Sequence, residues 1–205
     1  ILKDTAEVKS LIAVSPQETA IAAGLSVREN LELMCGVYGF SKEKKKARIE
    51  EMASLLGLSE ILKKKAGKLS GGWQRRLSIA MALISEPRIL FLDEPTLGLD
   101  VIARSELWDI IRALKGKVTI ILTTHYMEEA EALSDRIAIM KDGKLLDRGT
   151  PAEIFSKPEL LKKAKGKRLS AGKIQNPVYQ LCAVLLRWRM YRLEENFLKL
   201  YKKVS

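Results

Sequence analysis

Two adjacent carboxylates follow a short apolar run near the middle of the chain. Residues 89–92 read Ile-Leu-Phe-Leu, and Asp93 and Glu94 come directly after them. Such a run is typical of a strand buried on both faces of a parallel sheet, and open α/β sheets hold ligands at the carboxyl ends of their strands. There the first acid would suit a magnesium ion that bridges phosphates, and the second would suit orienting an attacking water. Alone, the pattern fits an ordinary strand-to-loop transition equally well.

A serine and two glycines precede these acids in the chain. Ser70, Gly71 and Gly72 lie just before an apolar stretch at residues 77–84, so we expect them at the start of a helix. Backbone N–H groups at a helix start attract an anion such as phosphate, and the helix dipole adds to this attraction. A lone Ser-Gly-Gly would fit a simple helix cap with flexible glycines. The motifs around it favour the anion site.

Strands and helices alternate along the chain, and this order must position the polar residues. Ser26, with Glu29 three residues later, has the spacing of a capping box, and Asp142-Gly143 predicts a hairpin turn. Strands alternating with helices predict an α/β sheet with right-handed crossovers. The predicted strands are near residues 11–14, 89–92, 118–122 and 136–140, and the predicted helices near residues 27–37, 42–56, 101–114 and 127–134.

Length and composition favour a globular protein with a basic C-terminal appendage. The 205 residues are 47% hydrophobic and 30% charged, and no run approaches the roughly 18 apolar residues of a membrane-spanning helix. Two cysteines are too few for a disulfide framework, which favours a reducing compartment. The net charge of +11 is concentrated in residues 157–205, which carry 13 Lys and Arg against three Asp and Glu. We expect a domain over 1–156, an appendage over 157–205 and an amphipathic helix over 181–201.

Five motifs in a fixed order carry a family resemblance. Residues 69–100 resemble the signature motif, Walker B strand and D-loop of an ABC-family ATPase. His125, after two threonines, is similar to the family's switch histidine, and Gln17, in Val-Ser-Pro-Gln-Glu, is similar to its Q-loop glutamine. The resemblance covers about residues 8–156 and is closest to the ATPase subunits of ABC-2 type exporters. It implies a P-loop NTPase-type parallel sheet with an inserted helical subdomain at about residues 25–86.

The resemblance also implies ATP and Mg²⁺ as ligands and a role for each motif residue. Asp93 would help to hold Mg²⁺, Glu94 would polarise the hydrolytic water, and His125 would contact the γ-phosphate. Gln17 would contact the metal and relay the state of the nucleotide to a membrane subunit through residues around 18–30. The family's proteins are ATP-hydrolysing enzymes, so we expect ATPase activity in the full-length parent of this chain, while the resemblance leaves the activity of the 205 residues alone open.

The implied partners are a second cassette and a membrane permease. Ser70, Gly71 and Gly72 would cap the γ-phosphate of an ATP held mainly by the opposite cassette, and Asp100 would act across the same interface. A homodimer on the cytoplasmic face of the cell membrane is expected, with peripheral contact to the membrane surface and with no nucleic acid. Trp73 and Gln74 replace residues that are common in the signature motif, which we interpret as tolerated variation.

The phosphate-cradling loop of the family is missing from the sequence. No G-x-x-x-x-G-K-S/T run is present, and Ile1 stands where a complete chain would begin with Met. We therefore expect an N-terminal truncation that removes a strand paired beside the Asp93 strand. On this expectation the 205-residue chain folds poorly and binds ATP weakly.

Two other functions fit parts of the sequence. A cassette that does not hydrolyse ATP could use Ser70, Gly71 and Gly72 to bind the nucleotide of a partner. Intact Glu94 and His125 argue against this alternative. An ABC-type ATPase acting on nucleic acid would explain the basic tail. The compact, continuous stretch from residue 17 to residue 93 argues against this second alternative, because such relatives usually carry long coiled coils or two cassettes.

Overall fold

A computed structural model describes residues 5–157, residue 159 and residues 181–185. It forms two compact units, Ile1–Ile120 and Ile121–Ser205. The α/β fold is confirmed. The elements in chain order are α1 Thr5–Leu11, β1 Ile12–Ser15, α2 Val27–Val37, α3 Lys42–Leu55, 3₁₀ turns at Ser59–Ile61 and Ala66–Lys68, α4 Gly71–Leu83, β2 Ile89–Asp93, α5 Val101–Leu114, β3 Thr119–Thr124, α6 Met127–Leu133, β4 Arg136–Lys141, β5 Lys144–Gly149, α7 Pro151–Phe155 and β6 Leu181–Leu185.

The parallel pair β1 and β2 is the framework of the first unit. Ile12 pairs with Ile89 at one end of the register, and Ser15 pairs with Leu92 at the other. On the opposite edge of β2, the Thr119 N–H at the start of β3 donates to the carbonyl of Arg88 at 3.0 Å. Both edges of β2 are therefore occupied, and the expectation that a missing strand pairs beside β2 is wrong.

Only one face of β1 and β2 is fully buried. The Ser15 and Ser78 hydroxyls are 3.0 Å apart, so α4 covers the face of β1 to which Ser15 points. On the other face Val14 is 55% exposed. The prediction that β2 is buried on both faces is therefore wrong, since burial alternates along the strand. The buried residues on the face covered by α4 are Ala13, Ser15, Leu90 and Leu92, and the half-buried residues of β2 are Ile89, Phe91 and Asp93.

Helices α2, α3 and α4 lie between β1 and β2 in sequence and form a helical insertion. Helix α2 begins with the predicted capping box: the Ser26 N–H donates to Glu29 Oε2 at 2.6 Å, and the Glu29 N–H donates to Ser26 Oγ at 3.2 Å. The hydrogen bond from the Ser26 backbone N–H to the carboxylate, followed by the interaction of the carboxylate with the Ser26 side chain, lowers the pKa of Glu29. At the start of α3, Ser41 Oγ accepts from the Lys44 N–H at 3.2 Å. The domain boundary at residue 156 and the subdomain limits at about 25 and 86 stay predictions.

In the second unit, β4 and β5 form the predicted hairpin. They pair antiparallel, and Asp142 and Gly143 between them have φ angles of 51° and 72°, which a two-residue turn of type I′ requires at both positions. Strand β6 pairs antiparallel with β4 on its other edge and lies between β3 and β4.

The C-terminal appendage departs from the predicted amphipathic helix. The first five residues of the predicted helix, Leu181–Leu185, form β6, because extended backbone there pairs with β4 from Ile139 to Arg136. Leu-Cys-Ala-Val-Leu is a short apolar run, and such runs fit a buried strand as well as a helix. The remainder of the predicted helix, residues 186–201, lies outside the described residues. Within the described ranges, no helix has the length and apolar character needed to traverse a bilayer.

Asn30 in α2 forms hydrogen bonds to the backbone of the loop that precedes the helix. Its side chain is fully buried, accepts from the Ala22 N–H at 2.8 Å, and donates to the carbonyls of Ala22 at 3.1 Å and Ser26 at 2.9 Å. The amide therefore uses both its oxygen and its nitrogen on backbone groups. Such groups are costly to bury unpaired.

We expect Asn30→Ala to lower the free energy of unfolding by about 1–3 kcal/mol, because it leaves backbone polar groups without their partner. Urea denaturation followed by circular dichroism measures this change. Leu33→Ala is the control in the same helix, because Leu33 is 50% exposed. We expect the control to change stability by no more than about 0.5 kcal/mol. Equal effects of the two substitutions would contradict the role given to Asn30.

Candidate functional site

Asp93 and Glu94 lie at the carboxyl end of β2, in a strained turn. Asp93 is the last residue of the strand, and Glu94 follows at φ 45°, with only 6% of its surface exposed. A glutamate rarely adopts this left-handed conformation, and such strain is concentrated at functional sites. The Glu94 carbonyl accepts from the Leu97 N–H at 3.1 Å, which closes the turn. The fold thus buries the second carboxylate beside the first.

Gln17 lies at the same edge of the sheet as Asp93. The parallel register pairs Ser15 with Leu92, so the residues that follow the two strands leave the sheet at the same end. The Gln17 side chain is exposed. Its amide oxygen and the Asp93 carboxylate are hard oxygen donors of the kind that Mg²⁺ prefers. Among the described residues no group of three or more His, Cys, Asp and Glu side chains could hold a metal ion.

Arg75 holds the backbone of the Gln17 loop and was not predicted as a site residue. It is 4% exposed, its Nη1 donates to the Pro16 carbonyl at 2.5 Å, and its Nη2 donates to the Gln17 carbonyl. The bonded residues are 58 and 59 positions apart in sequence. From the sequence one could see an arginine one turn into a predicted helix with an apolar continuation. This pattern does not indicate which residues the arginine binds.

Ser70, Gly71 and Gly72 form the start of α4, as predicted. Ser70 is the N-cap residue, and within the described part of the chain its side chain makes no capping hydrogen bond to α4. The N–H groups of the first turn of a helix have no partner inside that helix, so this end of α4 suits an anion. A Cβ built on Gly71 would lie 3.7 Å from Leu99 Cδ2, which is ordinary contact.

Gly72 has a packing role that its sequence pattern did not indicate. A Cβ built on Gly72 would lie 3.0 Å from the Cβ of Ala103, tighter than most real contacts. Gly72 therefore allows α4 to approach α5 closely. Since α5 follows Asp100 directly, this contact sets the distance between the first turn of α4 and the loop that ends at Asp100.

Trp73 and Gln74 both make specific contacts, and their interpretation as tolerated variation stays a prediction. Gln74 Nε2 donates to the carbonyls of Leu69 at 3.1 Å and Ala66 at 3.3 Å, which fastens the segment before α4. The Arg76 guanidinium lies 4.6 Å from the ring centroid of Trp73. These contacts stabilise the start of the helix.

Asp100 caps α5. Its Oδ1 accepts from the Ala103 N–H at 2.9 Å, and the residue is exposed. A role across an interface would have to be compatible with this cap, which satisfies one of the unpaired N–H groups of the helix.

His125 belongs to the second unit, where it follows β3. The residue is exposed, and its ring centroid lies 4.1 Å from that of Tyr126. The Tyr126 N–H donates to Thr124 Oγ1 at 3.0 Å, which turns the chain at the end of the strand. The structure thus places Gln17, Asp93 and Glu94 at one edge of the sheet and Ser70, Gly71, Gly72 and Asp100 at the adjoining starts of α4 and α5, all in the first unit. It places His125 at the end of the next strand in sequence.

Comparison with known proteins points to one family. The family described as "ABC transporter" matches residues 2–97. "ABC transporter A family member 2" of Arabidopsis thaliana is 43% identical over 150 residues, which cover 73% of this chain and 15% of that protein. "Daunorubicin resistance ATP-binding protein DrrA3" of Streptomyces coeruleorubidus is 38% identical over 155 residues, which cover 75% of this chain and 49% of that protein. The chain thus spans about half, or less, of the length of these two curated relatives.

A solved structure supports the same fold. The chain is similar to cbiO1 from Clostridium perfringens, described as part of the ABC transporter complex cbiONQ, with a TM-score of 0.68 and 25% identity. The similarity covers 78% of this chain and 65% of that one. The α/β architecture described above is therefore shared with an ABC transporter subunit over most of this chain.

We expect Gly72→Ala to be less stable than Gly71→Ala by about 1 kcal/mol or more, because only the first adds a methyl group against Ala103. Thermal unfolding of both variants measures the difference, and the two substitutions share the same gain in helix propensity. In the Ala103→Gly background the difference should disappear. If it persists there, the close approach of α4 to α5 is not its cause.

We expect Glu94→Gly to be more stable than Glu94→Ala by about 1 kcal/mol, because a Cβ is unfavourable at φ 45°. The same pair of substitutions at Asp109, inside α5, is the matched control, and there Ala should be more stable by a similar amount. Chemical denaturation gives both differences. The same order at both positions would show that Glu94 is not held in the left-handed region.

Proposed function

The chain belongs to the ABC transporter ATP-binding family, and from this premise we propose that it is the ATP-binding and ATP-hydrolysing part of an ABC exporter. Binding and hydrolysis of ATP would drive two cassettes together and apart, and this motion would act on a membrane permease. The observation that carries the proposal is Glu94: a buried carboxylate in a strained conformation, directly after Asp93 at the ligand-binding edge of a parallel sheet.

The proposed chemistry is hydrolysis of the γ-phosphate. Glu94 would accept a hydrogen bond from the attacking water and orient it, and His125 would contact the γ-phosphate. Asp93 and Gln17 would hold Mg²⁺, for which their oxygen donors are suited. When bound, the metal would neutralise charge that develops on the phosphate oxygens.

The second cassette would complete the site. In this proposal the Ser70 side chain and the N–H groups of Gly71 and Gly72 cap an ATP held mainly by the opposite cassette. The support is the start of α4, where Ser70 is not used as a side-chain cap. Asp100 would lie at the same interface, and its bond to Ala103 would keep the loop before α5 in place.

The permease and the membrane surface are the remaining proposed partners. Several relatives carry names that state drug resistance, among them the "Linearmycin resistance ATP-binding protein LnrL" of Bacillus subtilis. Because of these names, we favour export over import as the direction of transport. The chain would act on the cytoplasmic face of the membrane. The basic appendage proposed to contact lipid headgroups lies, apart from Lys157, Glu159 and β6, outside the described residues.

The start of α4, where the Ser70 side chain makes no capping hydrogen bond among the described contacts, also fits a second candidate. In that candidate the chain contributes Ser70, Gly71 and Gly72 to a partner's nucleotide and does not hydrolyse ATP itself. The two candidates differ in one measurable property, which is whether this chain alone binds Mg-ATP and releases phosphate.

Calorimetric titration of Mg-ATP into the 205-residue chain carrying Glu94→Gln tests the proposal. We expect weak binding, because the chain contains no phosphate-cradling G-x-x-x-x-G-K-S/T run, and in the unsubstituted chain we expect phosphate release at least about 100-fold faster than in the variant. Binding without release from the unsubstituted chain would support the non-hydrolysing candidate. If neither chain binds Mg-ATP, the proposal that this chain binds ATP is wrong.

Glu86→Gln is the matched control. Glu86 precedes β2, at the opposite end of the strand from Glu94, and it also has a positive φ of 56°. It forms an exposed ion pair with Lys44, which contributes little to stability, and a second ion pair with the largely buried Arg48. The control should release phosphate at the rate of the unsubstituted chain, so an equal loss in both variants would argue against a role for Glu94 in hydrolysis.

A further inference from the structure

Arg75 joins helix α4 to the loop that contains Gln17. Its guanidinium is almost completely buried, and two of its nitrogens donate to two consecutive carbonyls, those of Pro16 and Gln17. A planar guanidinium matches two neighbouring acceptors at once, and an ammonium group does not. The contact is therefore specific for arginine.

A second bond connects the same two elements. Ser78 is three residues after Arg75, so both side chains lie on one face of α4. The Ser78 hydroxyl is 3.0 Å from that of Ser15, and both serines are buried. Residues 15–17 are thus bonded to one face of α4 at three consecutive positions.

The loop is anchored by its backbone, while the Gln17 side chain stays exposed. At the far end of the loop, Asn30 holds both backbone groups of Ala22. The Arg75 contact is at the end that borders Gln17. A shift of Gln17 relative to α4 would separate a buried charged group from its acceptors, which is strongly unfavourable.

We propose that Arg75 is a positioning residue that fixes the backbone of Gln17 relative to the first turn of α4, so that Gln17 and Ser70, Gly71 and Gly72 move as one body. The significance of this link rests on the proposed function. Gln17 would respond to the nucleotide of its own cassette, and the start of α4 would contact the nucleotide held by the other. Arg75 would then connect the two nucleotide sites of a cassette dimer.

Backbone ¹⁵N order parameters of the 205-residue chain test the anchoring without any nucleotide. In the unsubstituted chain we expect values for residues 17–20 close to the rigid value of about 0.85. In Arg75→Lys, which keeps the charge, and in Arg75→Gln, which keeps one amide donor group, they should fall below about 0.6. Values for α2 and β2 should not change.

Arg76→Lys is the control for altering an arginine of α4. Arg76 pairs with Glu106 and stacks on Trp73, and no bond between it and the Gln17 loop is present among the described contacts. Its order parameters at residues 17–20 should match those of the unsubstituted chain. Unchanged values in both Arg75 variants would overturn the proposal. A fall that extends over α2 and β2, or loss of the folded spectrum in both variants, would also overturn it, because Arg75 would then stabilise the core in general.

A nucleotide titration separates this inference from the proposed function. Because Gln17 would act through the metal, Arg75→Lys should weaken binding of Mg-ATP about tenfold and leave binding of metal-free ATP within about twofold. Equal weakening of both would contradict the positioning role. If the unsubstituted chain binds no nucleotide, the proposed function fails, and the order parameters still decide whether Arg75 anchors the loop.

Discussion

The arrangement of the first unit depends on helix α4, because most of the candidate site is positioned by its contacts. Ser78 binds it to the end of β1, Arg75 binds it to the Gln17 loop, and Gly72 lets it approach α5. Its residues from 77 to 83 are all buried, so the helix forms part of the core as well as part of the site. A buried helix of this kind transmits a displacement at one end to everything packed against it.

The parallel pairing of β1 and β2 is the second constraint. Its register brings the Gln17 loop and the Asp93 carboxylate to the same edge of the sheet. The chain then turns sharply at Glu94, where a left-handed backbone places a buried carboxylate next to that edge. A strained residue persists only where the surrounding structure enforces it, and here the enforcement comes from the strand before Glu94 and the hydrogen-bonded turn after it.

Much of the fold and part of the site were predictable from sequence. The capping box at Ser26 and Glu29, the hairpin at Asp142 and Gly143, and the strand end at Asp93 follow from residues a few positions apart. The wrong predictions concern long-range contacts. The apolar run of β2 does not reveal that only one face is covered, and the run at Leu181–Leu185 fits a helix or a strand until its pairing with β4 is known.

The sequence by itself determined most of the central elements, several of their caps and turns, and the chemical type of each candidate site residue, because these depend on interactions within a few positions of the chain. Tertiary structure alone decided that Arg75 binds the Gln17 backbone, that Gly72 lies against Ala103, and that Glu94 is buried at positive φ. Arg75 and Gln17 are 58 positions apart, and no local pattern specifies such a pair. Packing selects it, because a buried guanidinium must find acceptors wherever the fold supplies them.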